Sequence, residues 1–120
     1  MGTAFRVMIA DFLRDELAIE RSILGELAEV IALGARREDE LHGRIEEADA
    51  IVLYHDVAIT ARTIERLQRC KLIVRGGVGY DNVDCRAARA RGIPVATVPD
   101  YGSEEVADSA IAMMLALTRG

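Results

Sequence analysis

The chain has 120 residues, 51% of them apolar, and its 15 basic and 20 acidic residues give a formal net charge of -5. That length suits one globular domain with a real core, and an acidic balance without a basic stripe argues against direct binding of a nucleic acid backbone. No stretch reaches the roughly 20 apolar residues of a membrane span, and Cys70 and Cys85 follow no paired or clustered spacing, which predicts reduced thiols in a cytoplasmic protein with neither disulfide nor metal site.

Short runs rich in β-branched residues alternate with longer, charge-bearing stretches of helical character. In chain order the pattern predicts a strand over 5–10, a helix over 16–27, a strand over 29–33, a helix over 37–47, a strand over 50–54 and a helix over 61–68. A strand over 72–75, a helix over 85–91, a strand over 94–98 and a helix over 104–118 complete the series. Thr60, Asp84 and Ser103 are read as helix N-caps, and Gly92, two positions before Pro94, as a helix stop. Consecutive parallel strands need a crossover, which each helix supplies with the right-handed sense. The fold class is therefore α/β: a flavodoxin-like, doubly wound parallel sheet of order 2-1-3-4-5. Ligands of such sheets lie beyond the carboxyl ends of the strands, which directs attention to the loops after Ala10, Tyr54, Arg75 and Val98.

The strongest local signal is Arg75-Gly76-Gly77-Val78-Gly79-Tyr80-Asp81-Asn82, where three glycines follow a buried strand. Glycine permits positive φ and close approach of a ligand, and successive N–H groups in such a turn form a nest suited to a carboxylate. A plain tight turn before a helix capped by Asp84 explains the same glycines. A dinucleotide fingerprint does not, because Asn82 stands where the third glycine is required. Arg75 offers a fork for a substrate carboxylate or for a neighbouring acid. Tyr54, His55 and Asp56 end the neighbouring strand, although a lone histidine is more often an ordinary residue than a catalyst; His42, on a charged stretch, is read as solvated. A receiver domain is excluded because the single lysine, Lys71, precedes the fourth strand, and Asp11-Phe12-Leu13-Arg14 lacks the small hydroxyl residues of a flavin phosphate loop. The last helix is apolar nearly all round, from Val106 through Met113, Met114 and Leu117, which predicts a covering partner: another copy of the chain or a second domain.

Ile73 to Asp84, then Arg91-Gly92-Ile93-Pro94-Val95, Val98-Pro99 and Glu104-Glu105-Val106-Ala107-Asp108-Ser109, resemble the D-isomer-specific 2-hydroxyacid dehydrogenases over essentially the whole chain. Tyr54-His55, Ile59-Thr60 and the Asp81-Asn82 pair are similar to the C-terminal-binding-protein branch, whose members are corepressors. The resemblance implies a substrate-binding domain over 1–102, with a 2-oxo acid carboxylate held by the amides nearest Val78 and Gly79, and with Gly77, Arg75, Tyr54 and His55 around it. It implies an interdomain helix over 103–120, on which Val106 approaches a nicotinamide, leading to a Rossmann domain absent from these residues. It further implies NAD or NADP for a full-length member, no tight cofactor binding by this chain alone, and no catalytic residue in it. A non-catalytic dimerisation or corepressor-like interaction module is the alternative expectation.

Overall fold

The computed structural model describes residues 5–120. Its elements are β1 (Phe5–Asp11), α1 (Ala18–Leu24), β2 (Ala28–Ala35), two 3-10 turns (Glu38–Leu41 and Ile45–Glu47), β3 (Ala50–Leu53), α2 (Ala61–Ile64), β4 (Leu72–Arg75), α3 (Cys85–Ala90), β5 (Val95–Ala96) and α4 (Ser103–Arg119). The five strands form one parallel sheet in the order β2-β1-β3-β4-β5, as the alternation predicts. Val52 is in register with Ile9 on one side and with Val74 on the other, and Val74 with Ala96, so the carboxyl ends of β1, β3, β4 and β5 open on one edge.

The side chains of each strand alternate between two layers. One layer is the main core, where Met8, Ile51, Leu53 and Ile73 pack with Leu41, Ile45, Ile59, Ile64 and Ala88 from the 3-10 turns, the loop before α2, α2 and α3. The other is smaller: Ile9, Val30 and Leu17 are buried, with Leu24, Val52 and Tyr54 packed against them. Burying a branched aliphatic side chain stabilises by about 1.5–3 kcal/mol, so the first layer carries most of the fold.

Several helices are shorter than their sequence pattern. The expected helix over 37–47 is replaced by the 3-10 turns, because Gly43 takes φ 86° and breaks the run, and the Glu46 carboxylate accepts from the Gly43 N–H (2.8 Å). Gly34, Gly25 and Leu17 also take positive φ, and the last two confine α1 to Ala18–Leu24 instead of 16–27. The run 61–68 is an α-helix only to Ile64, and the last strand is reduced to Val95 and Ala96.

The capping residues divide. Asp84 caps α3 by accepting from the Ala87 N–H at 2.9 Å, and Gly92, at φ 72°, closes that helix. Thr60 occupies the cap position of α2, but its hydroxyl donates to Glu38 instead of capping. Ser103 is the first residue of α4, not its cap; Gly102 takes that position and Ser103 Oγ donates to Asp100. His42 is half-buried, not solvated: its Nε2 lies 3.0 Å from Thr63 Oγ1, whose hydrogen goes to Glu38. Burial pushes the Glu38 carboxyl up, yet hydrogen bonds from Thr63, Thr60 and Arg62 outweigh it and hold its pKa below the usual value.

Candidate functional site

Three loops meet at the carboxyl edge of the sheet, and a buried carboxylate ties two of them together. Asp11, 2% exposed at the end of β1, accepts from the Tyr54 N–H through Oδ1 (2.8 Å) and from the Asp56 and Val57 N–H groups through Oδ2 (2.9 and 3.2 Å). A charged acceptor makes each bond worth about 1.5–3 kcal/mol, so the loop after β3 is pinned to β1 at the point where the sheet reverses its winding.

The glycine loop after β4 is pinned from below. Gly76 N–H donates to the Leu53 carbonyl (2.7 Å), Gly77 N–H to the Arg75 carbonyl (2.8 Å), and the Gly77 carbonyl accepts from Val98 N–H (2.9 Å). Beyond these, the N–H groups from Val78 to Asn82 donate to no protein acceptor among the described residues, and those of Val78 and Gly79 are the ones that follow Gly77 beside Arg75. Backbone donors left unclaimed in a turn are what an anion requires.

Close approach explains the glycines here, since none of Gly76, Gly77 and Gly79 takes a positive φ. A methyl group on Gly76 would run into the Tyr54 ring, and one on Gly77 into the Arg75 guanidinium, with the Tyr101 hydroxyl 3.7 Å away. At Gly79 the neighbours would be Asp81 Oδ1 at 3.3 Å and Arg75 Nη2 at 3.9 Å. The Arg75 fork therefore lies across the loop, beside the unclaimed amides.

Of the residues expected at the site, Arg75, Gly77, Val78 and Gly79 come together, and Tyr54 touches the loop through Gly76. Burial raises the Tyr54 pKa, helped by the nearby carboxylates of Glu20, Asp15 and Asp11, so the phenol stays neutral. His55 stands apart: its side chain is 78% exposed and its Nε2 is 3.5 Å from Asp56 Oδ1. Val106 shares with Val78, Tyr101 and Ala110 a cavity of about 490 Å³ between the loop and the start of α4. Those apolar walls suit one face of a flat ring, but among the described residues no second glycine turn adjoins them for a pyrophosphate. A larger cavity of about 610 Å³ lies between α3 and β5, walled by Cys85, Arg89, Ile93 and Val95, and contains none of these groups.

The family model described as D-isomer specific 2-hydroxyacid dehydrogenase, catalytic domain, matches residues 7–119. The chain belongs to this family. A D-3-phosphoglycerate dehydrogenase from Methanocaldococcus jannaschii is 36% identical over 114 residues, covering 95% of this chain and 21% of that protein. C-terminal-binding protein 1 from Caenorhabditis elegans is 33% identical over 105 residues, covering 87% of this chain and 14% of that one. The structure of NAD+-bound 3-phosphoglycerate dehydrogenase from Entamoeba histolytica superposes with a TM-score of 0.81 at 28% identity, covering 94% of this chain and 39% of that one. The chain thus spans 21% and 14% of the lengths of these two curated relatives. Membership agrees with the glycine-loop motifs, and both a dehydrogenase and a C-terminal-binding protein stand among the relatives.

Three residues of this site escape a reading of the sequence: Asp11, Asn82 and Tyr101. Asp11 carries a usable signal, a lone carboxylate closing an apolar strand at the switch point. Asn82 stands in the sequence as a failed third glycine and as part of the Asp81-Asn82 pair that carries the family resemblance, neither of which gives it a role at the site, and nothing local marks Tyr101.

Proposed function

We propose that this chain is the substrate-binding portion of an NAD(P)-dependent D-2-hydroxyacid dehydrogenase, with residues 1–102 as the substrate-binding unit and 103–120 as the helix leading to a nucleotide-binding Rossmann domain. The observation that carries the reading is the pair of unclaimed N–H groups at Val78 and Gly79 beside the Arg75 guanidinium. The carboxylate of a small 2-oxo or 2-hydroxy acid fits that combination of two amides and a planar fork. Gly77 leaves the space for the fork, Tyr54 packs against the loop at Gly76, and His55, exposed on the neighbouring loop, is assigned an outer place around the ligand.

NAD or NADP, when bound, supplies the hydride, and Val106 is the residue of this chain that faces its nicotinamide. Hydride transfer also needs a proton donor held against the same substrate, which we assign to residues outside these 120, so the chain alone binds weakly and does not turn over. A reducing, cytoplasmic setting is consistent with the two unpaired thiols, and burial raises the Cys70 pKa, which keeps that thiol protonated.

Titration of the chain with glyoxylate, hydroxypyruvate and pyruvate, followed by amide NMR shifts, tests the reading. Val78 and Gly79 move in the wild type, NADH is not oxidised, and Gly77→Ala, which displaces the flexible end of Arg75, removes the shifts while the fold persists. Equal binding by Gly77→Ala sinks the assignment.

A second reading, a non-catalytic module that pairs through its last helix or docks a corepressor-like partner, is favoured by one observation. None of the 17 residues of α4 is buried, and Val106, Met113, Met114 and Leu117 are all at least 62% exposed. A monodisperse monomer in sedimentation would count against self-association through 106–117.

A further inference from the structure

The geometry points to Asn82 as a positioning residue that aims the Arg75 guanidinium at the substrate carboxylate, an inference that rests on reading the glycine loop as the carboxylate site. An asparagine amide has two donor hydrogens and one accepting oxygen. In Asn82 both hydrogens are spent, since Nδ2 donates to the Tyr54 carbonyl at 2.7 Å and to the Val57 carbonyl at 2.8 Å. The amide cannot flip without setting its oxygen against two carbonyls, so Oδ1 is turned toward Arg75, whose Nε donates to it at 3.2 Å. The backbone of Asn82 is fixed as well, because its carbonyl accepts from the Ile59 N–H at 2.8 Å.

Electrostatics adds a reason for an amide at this position. Among the described residues no carboxylate lies within ion-pair distance of Arg75, so its cation is held by a neutral acceptor. The bond at Nε restrains the plane of the guanidinium while Nη1 and Nη2 stay free over Gly77 and Gly79. A carboxylate in place of the amide would hold the fork equally well and neutralise it, and would strand the two carbonyls that Nδ2 serves. Asn82 therefore joins the loop after β3 to the loop after β4 and leaves the charge of Arg75 for a ligand.

The experiment is a double-mutant cycle on glyoxylate affinity, measured by NMR titration of the full chain. It uses Asn82→Ala, Asn82→Asp and Arg75→Ala, with the double variant Asn82→Ala/Arg75→Ala. Asn82→Ala weakens binding about tenfold when Arg75 is present, the size of one lost charge-assisted hydrogen bond, and has no further effect when Arg75 is absent. Asn82→Asp weakens it more. Equal loss in both backgrounds means that Asn82 acts only through the fold and overturns the inference, as does an unchanged affinity in Asn82→Ala.

Exchange of the Arg75 Nε–H in the ligand-free wild type gives a second measurement that needs no variant to fold. Slow exchange relative to the exposed Arg37 is expected, and exchange at the same rate overturns the inference. A wild type that binds no 2-oxo acid removes the carboxylate site and this inference with it, whereas a wild type that binds while the cycle shows no coupling removes this inference alone.

Discussion

Two buried carboxylates stand at opposite ends of the sheet, and their partners differ. Asp49, just before β3 at the amino end, accepts from the Arg6 N–H at 2.8 Å and from Nε and Nη2 of Arg69, both at 2.8 Å. Asp11, at the carboxyl end of β1, accepts only backbone N–H groups, all from the loop after β3. At the amino end charge is matched by charge and the structure closes on itself. At the carboxyl end the carboxylate is spent on holding a loop, and Arg75 makes no ion pair among the described residues. The two ends divide the labour of the domain: one fixes the strands, the other keeps donors available.

The largest effect should come from Asp11→Ala, which takes the acceptor from three N–H groups at once, that of Val57 being buried. The loss is about 3 kcal/mol or more, read as a lower urea midpoint, and a change below about 0.5 kcal/mol would show that the loop holds without its clamp. Gly76→Ala follows. Its methyl group meets the Tyr54 ring, which is held in the smaller apolar layer and yields less readily than the end of an arginine; overpacking of this kind costs about 1–3 kcal/mol.

Arg69→Ala sharpens the contrast from the other end. Hydrogen bonding by Arg69, then the Arg6 N–H, holds the Asp49 carboxyl below its usual pKa. A depressed folded-state pKa contributes stability above the unfolded value near 4, and that contribution is lost as pH falls through the folded value. The wild type should therefore melt above Arg69→Ala at pH 7, and the gap should close between about pH 5 and pH 2. A gap that stays constant with pH would mean that Arg69 acts through packing alone. The smallest effect is expected for His55→Ala, whose exposed ring pairs only with Asp56: thermal stability stays within about 0.5 kcal/mol of wild type. A larger loss would give the histidine a structural role that its surroundings do not indicate.

Much of the architecture is legible in the sequence. Apolar runs at 5–10, 50–54 and 72–75 announce strands because each is short, β-branched and bounded by charged stretches, and parallel crossovers then restrict the order. Element lengths were less legible. Charged residues at helical spacing over 37–47 look like a helix, yet Gly43 at φ 86° and side chains that bond to nearby N–H groups favour two 3-10 turns. At the site, the glycine loop and Arg75 could be read directly, because glycine after a buried strand is a local signal. Tyr54 packs its ring against Gly76, and its phenol feels the carboxylates of Glu20, Asp15 and Asp11, which no spacing rule brings close.

What the sequence by itself determined is the order of elements, the α/β class and the position of the glycine loop, since these follow from periodicity, chain direction and the handedness of crossovers, all properties of neighbouring residues. The tertiary structure decided which polar groups are satisfied and which are left over. The side-chain bonds that join the loop after β3 to its neighbours link residues 25 to 46 positions apart, from Asn82 to Val57 and from Asp11 to Val57. A hydrogen bond reaches only about 3 Å, so partners so distant in the chain meet only once the sheet has stacked its strands, and only then do the amides of Val78 and Gly79 remain unclaimed beside a guanidinium.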